Sequence, residues 1–189
     1  VDKTLSEYRK RGFAPQSLEA AYAAKAHFRQ LEAEFEEYAA LDFKVQARKD
    51  IELAKKLQQR VKDKFAWAEK LETKYLDIFQ YQHFDWTLAA SYRVGSIWEN
   101  FADKLYNAPV PRQFAKDEVM SDEWKVLLEQ LAEPYEQRAV TKYGKLVTSA
   151  RKRKFRNDWT KKALQSLNRY ARDEWPIEKE AITQSLDVL

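Results

Sequence analysis

Between Gln16 and Val94 the chain contains neither glycine nor proline. These two residues are the strongest punctuators of local structure, so a stretch this long without them has few places to turn sharply. Apolar residues in it recur at alternating spacings of three and four, which puts them on one face of a helix. The region therefore reads as long amphipathic helices. A rigid helical surface of this kind is a platform for partners more often than an active site.

The first stripe is Leu18, Ala21, Ala24, Phe28, Leu31, Phe35, Tyr38 and Leu41. Its repeat is nearer 3.5 than 3.6, the pattern of a helix that packs along its length against a neighbour. A second stripe runs Ala47, Ile51, Ala54, Leu57, Val61, Phe65, Ala68, Leu71, Tyr75 and Ile78. Between them Leu41-Asp42-Phe43-Lys44 breaks the phase. A single helix over residues 16 to 81 would be about 100 Å long at about 1.5 Å per residue. An antiparallel hairpin turning near Asp42 instead lets the two stripes cover each other, with the second helix over about 44–80.

Breaks divide the rest of the chain. Gly12-Phe13-Ala14-Pro15 ends a short opening helix, and Ser17 is placed to cap the next one. Gln80 to Trp86 marks another turn, with Asp85 as the expected cap of a helix running to Leu105. Asn107-Ala108-Pro109-Val110-Pro111 stops that helix, since neither proline can continue it. Helical pattern resumes at Asp117, and Pro134 within it predicts a kink or short interruption. Asn157-Asp158 should end this segment and cap a last clear helix, Trp159 to Trp175, with one more short helix toward Leu189. With only 3 Gly and 5 Pro against 34% charged residues, the composition supports an all-α class.

Composition also narrows the chemistry. There is no cysteine, which removes disulfides, thiolate catalysis and Cys-ligated zinc. The two histidines, His27 and His83, are preceded three residues earlier by Ala24 and Gln80, so the Glu-x-x-His pattern of di-metal helical bundles fails, and no HExxH occurs. No phosphate-binding glycine loop is present. The expectation is a non-enzymatic chain with no cofactor and no metal. No apolar run reaches the length of a membrane span. The sequence opens on Val1 without a signal-like stretch, as expected of a piece of a longer protein.

Charge is distributed unevenly. From Lys142 to Arg172 eleven basic residues face one acid, Asp158, while from Asp117 to Gln137 seven acids face one base, Lys125. The net +4 of the whole chain conceals both poles. Arg151, Lys152, Arg153, Lys154 and Arg156 form the densest basic run and are the candidate partner-binding residues. Such a run also suits a solvated helix end, where cations meet the negative pole of the dipole. Read functionally, it attracts an acidic protein surface or peptide, or an anionic membrane surface. Nucleic acid is disfavoured, because no fold signature of a nucleic-acid binder accompanies the charge. The acidic segment could also fold back on the basic one.

The segment Ser91-Tyr92-Arg93-Val94-Gly95-Ser96-Ile97-Trp98 resembles the first helix of a tetratricopeptide repeat, with Tyr92, Gly95 and Trp98 at the packing offsets and Gly95 allowing close approach of a paired helix. Ala139-Val140-Thr141-Lys142-Tyr143 is similar to the second helix, through Ala139 and Tyr143. The chain breaks at Pro109, so no repeat of about 34 residues is completed. Over most of its length, through Ala89–Gly95, Ala108–Pro111, Pro134–Ala139 and Asn157–Trp159, the chain looks like the C-terminal helical part of large tetratricopeptide-repeat envelope proteins of myxobacteria and related predatory bacteria. That resemblance implies an α-solenoid over residues 83–189 following the long helical hairpin of 16–82 and a lead-in of 1–15. It also implies a protein-interaction scaffold of the periplasm or cell envelope, linked to gliding motility, with the cytoplasm as the other compartment.

Overall fold

A computed structural model describes residues 2–47 and 49–177. Six α-helices and one short 3-10 turn account for its regular structure: α1 (Asp2–Arg11), α2 (Leu18–Ala40), α3 (Asp50–Leu76), the 3-10 turn Asp77–Tyr81, α4 (Phe84–Tyr106), α5 (Glu118–Lys152) and α6 (Asp158–Tyr170). No strand occurs among the described residues. The all-α class is therefore as expected from the spacing of apolar residues.

Local chemistry explains most boundaries. Ser17 Oγ accepts the Ala20 N–H at 3.1 Å and opens α2, satisfying one of the N–H groups a helix start leaves unpaired. Asn107 closes α4, its Nδ2 donating to the Asp103 carbonyl. Asp117 caps α5 through the Met120 N–H. Gly12, at φ +63°, takes the left-handed conformation that ends α1 at low steric cost.

Several expected boundaries shift. α3 begins at Asp50 rather than near residue 44, because residues 41–47 form an irregular connection. The residue at the N-cap of α4 is His83, and Asp85 lies inside the first turn. Pro134 does not interrupt α5, which is one helix of 35 residues. The ring sits on an exposed stretch of that helix, where water can take the carbonyl left without its N–H partner. α5 ends at Lys152 rather than Asn157, and α6 at Tyr170 rather than Trp175. The short helix expected toward Leu189 falls on 178–189, outside the described residues.

The core is organised round α4. This helix touches α2, α3, α5, α6 and the 3-10 turn. Twelve of its 23 residues are buried, and a helix buried over so much of its circumference belongs to the interior. Contacts between α2 and α3 run in opposite order along the two helices. Tyr38 meets Trp67, Glu34 accepts from Trp67 and Lys74, and Phe28 and Glu32 meet Tyr75. Both helices also pack on α4, so the two stripes share a third partner. Near the starts of α2 and α3 the stripes go uncovered: Leu18 is 67% and Ile51 73% exposed.

α4 and α5 form the most extensive helix pair. A Cβ built on Gly95 would lie 2.4 Å from the buried Tyr143 ring, so the ring rests directly on the α4 backbone and any larger residue would push it away. Tyr92 packs at a tilt beside Tyr143 at 5.6 Å between centroids, Ala139 is fully buried, and Trp98 packs on Phe65, Phe101 and Tyr135. Tyr92, Gly95, Trp98, Ala139 and Tyr143 thus all lie at the α4–α5 contact.

Candidate functional site

The charged side chains fall into two groups, those spent on holding helices together and those left at the surface. Among the acidic residues that do the first task, Glu32, Glu72 and Glu99 reach furthest. Glu32 of α2 accepts from both arms of Arg93 and from the Tyr75 hydroxyl. Glu72 of α3, 7% exposed, accepts from Trp98 Nε1 at 2.6 Å, from Arg138 at 2.9 Å and from Lys142. Glu99 of α4 accepts from the Tyr143 hydroxyl at 2.6 Å, from Ser166 and from Arg169. Each carboxylate therefore ties three elements at once. Lys142 and Arg169, both counted in the basic pole of the sequence, are engaged by Glu72 and Glu99.

Lys64 is the basic counterpart. It is fully buried, and its Nζ donates to the carbonyls of Tyr38 at 3.1 Å and Leu41 at 2.6 Å and to Asn100 Oδ1 at 2.9 Å. It thereby caps the C-terminal carbonyls of α2 from α3 while anchoring on α4. Burial, reinforced by the nearby charge of Lys104, pushes its pKa down to about 7 against the opposing pull of Asp42. It lies one heptad from buried Leu57 and Leu71, but the apolar stripe of the sequence runs through Val61 and Phe65 and passes it by.

Surface basic charge gathers at the corner between α5 and α6. α5 ends in a Schellman arrangement: the Lys154 N–H donates to the Arg151 carbonyl at 3.0 Å and the Phe155 N–H to the Ala150 carbonyl at 3.0 Å. Lys154 takes φ +53°, a left-handed position usually given to glycine and costing a side-chain-bearing residue about 1 kcal/mol. α6 then opens on a capping box, in which Asn157 Oδ1 accepts the Thr160 N–H and Thr160 Oγ1 accepts the Asn157 N–H, both at 3.0 Å. Asn157 Nδ2 also donates to Asp85 at 2.7 Å, pinning the corner to the start of α4. Phe155 packs on Phe84 at 5.1 Å.

This rigid turn divides the five predicted basic residues. Arg151, Lys154 and Arg156, joined by Lys161 of α6, line one cleft of about 220 Å³ whose floor is Val147, Ala150, Phe155 and Leu164. Lys152 lies in a neighbouring groove with Lys145, Thr148 and Trp175. Arg153 stands 4.6 Å from the centroid of the Phe84 ring. All five are exposed. Sequence reading placed Lys161 in the basic pole but not in the candidate site, because only the turn of the chain returns it to Arg151.

The acidic segment does not reach this corner. α5 is one helix about 50 Å long at about 1.5 Å per residue, with the acids from Glu118 to Glu136 along its N-terminal part and Arg151 and Lys152 at its C-terminal end. Folding back would require a break at Pro134 that α5 lacks.

His27 Nδ1 lies 3.3 Å from the Tyr81 hydroxyl, and burial lowers its pKa. His83 Nδ1 is buried without a hydrogen-bond partner. Among the described residues no group of three His, Cys, Asp or Glu side chains is arranged to hold a metal ion, and no helix is long and apolar enough to cross a membrane. No known protein family, curated protein or solved structure matches the chain.

Proposed function

We propose that the chain is a non-enzymatic protein-interaction module that captures acidic segments of a partner at the α5–α6 corner. The observation that carries this reading is the convergence of Arg151, Lys154, Arg156 and Lys161 round one small cleft with an apolar floor. Cations around an apolar floor suit a peptide that alternates carboxylates with an apolar anchor, because charge steers the encounter and apolar contact retains the complex. The capping box and Schellman turn hold the site in place, so little ordering cost falls on binding.

The kinship with tetratricopeptide-type superhelices belongs to the same proposal, supported by Tyr143 resting on Gly95. So does a scaffold role in a bacterial envelope or motility assembly, which rests on the sequence likeness alone. The same cluster of cations supports a second reading, an anionic membrane or polyanion contact.

Replacing Arg151, Lys154 and Arg156 together with glutamate tests the proposal. Affinity for a glutamate-rich peptide carrying one leucine or phenylalanine is expected to fall at least about tenfold, with the circular dichroism of the helices unchanged. Equal binding by the variant rejects the site. Salt-sensitive cosedimentation with phosphatidylserine vesicles but no peptide binding would favour the membrane reading.

A further inference from the structure

Near its start α5 carries a row of acids on its outer surface. Glu118, Asp122, Glu129 and Glu133 follow one another at steps of four, seven and four residues, which aligns them along one side of the helix. All four are exposed, while Trp124, Leu128 and Ala132 form a separate buried row turned toward the core. Val119 and Val126 stand beside the acids and are 67% and 51% exposed. Val126 has Asp122 one turn before it and Glu129 one turn after it. From Asp117 to Gln137 the one base is Lys125. It pairs with Asp122 at 2.9 Å, but both side chains are about two-thirds exposed, and a pair in that setting adds little.

This stretch has the chemistry that the α5–α6 corner selects. There Arg151, Lys154, Arg156 and Lys161 surround a cleft of about 220 Å³ floored by Val147, Ala150, Phe155 and Leu164. A cleft so small takes a short apolar anchor with carboxylates around it, and Val126 between Asp122 and Glu129 is such an anchor. Within one chain the two cannot meet. Val126 and Arg151 lie on the same unbroken helix, about 38 Å apart along its axis at about 1.5 Å per residue. Between two copies they can, and every copy carries both.

We infer that the partner seated at the α5–α6 corner is a second copy of this chain, with Val126 on the apolar floor and Asp122, Glu129 and Glu133 against the four cations. The inference rests on the corner being the capture site and names its occupant. The two surfaces in contact differ, so the association is heterologous: one copy gives the acidic row and the other the corner. Opposite charge brings these surfaces together, and burial of the valine distinguishes the contact from diffuse attraction.

Sedimentation velocity of the full chain at rising concentration tests the inference. The average mass is expected to grow with concentration at low salt and to grow less at high salt. Replacing Arg151, Lys154 and Arg156 with glutamate gives a corner variant, and Asp122→Asn, Glu129→Gln and Glu133→Gln together give a row variant. Each alone should self-associate at least about tenfold more weakly. Mixed in equal amounts they should associate again, because each brings the surface the other lacks. Val126→Ser, an exposed change that keeps every charge, should weaken association about tenfold. A wild-type chain that stays monomeric at low salt, undiminished association of either charge variant or of Val126→Ser, or a mixture no better associated than its parts overturns the inference. The glutamate-rich peptide separates this failure from that of the corner itself. A wild-type chain that binds the peptide without self-associating rejects only the second copy, whereas one that does neither rejects capture at the corner as well.

Discussion

Glu72→Ala is expected to destabilise the protein by about 3–5 kcal/mol, the range for breaking a buried ion pair from one side. Among the described residues Glu72 is the acceptor shared by Trp98 Nε1, Arg138 and Lys142, and its loss strands an indole donor in the core and takes the counter-charge from two cations. Arg138 also lies 3.6 Å from the centroid of the Trp98 ring, so the guanidinium and the indole lose their common anchor together. Chemical denaturation followed by circular dichroism measures the loss. Burial raises the pKa of the Glu72 carboxyl, but hydrogen bonds from Lys142 and Trp98 and the charges of Lys142 and Arg138 outweigh it and leave the group below its ordinary value. Its contribution is therefore present above the unfolded carboxyl pKa and is lost as pH falls through the lower folded one. Glu72→Gln should retain the Trp98 bond, lose less, and show a flatter acid limb.

The second large effect belongs to Lys64. Lys64→Met, which keeps the length of the side chain, leaves the carbonyls of Tyr38 and Leu41 and the Asn100 oxygen without their shared donor. A loss of about 2–4 kcal/mol is expected near neutral pH. The pH dependence carries its own sign. With a folded pKa of about 7 and an unfolded value of about 10.4, the unfolded chain binds more protons between these limits. Wild-type stability should therefore rise as pH increases from 7 to 9, by on the order of 2 kcal/mol, and Lys64→Met should lack that rise. Above pH 10 the slope reverses, because burial raises the pKa values of Tyr38, Tyr75 and Tyr143 and the unfolded chain releases those protons first. Wild-type stability that stays flat from pH 7 to 9 would mean that the three oxygens hold the ammonium charged.

Both effects arise from residues that apolar periodicity passes over, and this marks the limit of what the sequence makes legible. Helix content and several ends were readable because their causes are local: Ser17, Asn107 and Asn157 satisfy helix termini with their own side chains. The helical character of α2 and α3 was readable from spacing of three and four. The exposure of Leu18 and Ile51 was not, since it depends on where the neighbouring helices end. Pro134 misled because its cost depends on solvent access, which the sequence does not display. The central place of α4 was hidden in a polar-looking segment, where Ser96, Glu99 and Asn100 share the helix with Ile97, Trp98 and Phe101 and are satisfied by distant partners. The basic run 151–156 was evident as charge. Its division between a cleft, a second groove and the Phe84 ring follows from the Lys154 turn.

The central claim is that capture takes place at the basic corner while the interior serves as a frame. Backbone amide chemical shifts recorded during titration with the glutamate-rich peptide test it most directly. The account predicts shifts concentrated at Arg151, Lys154, Arg156, Thr160 and Lys161, weakening as salt is raised, with Lys64, Glu72 and Glu99 unmoved. Shifts centred on those three interior residues, or absent from the corner at saturating peptide, would contradict it.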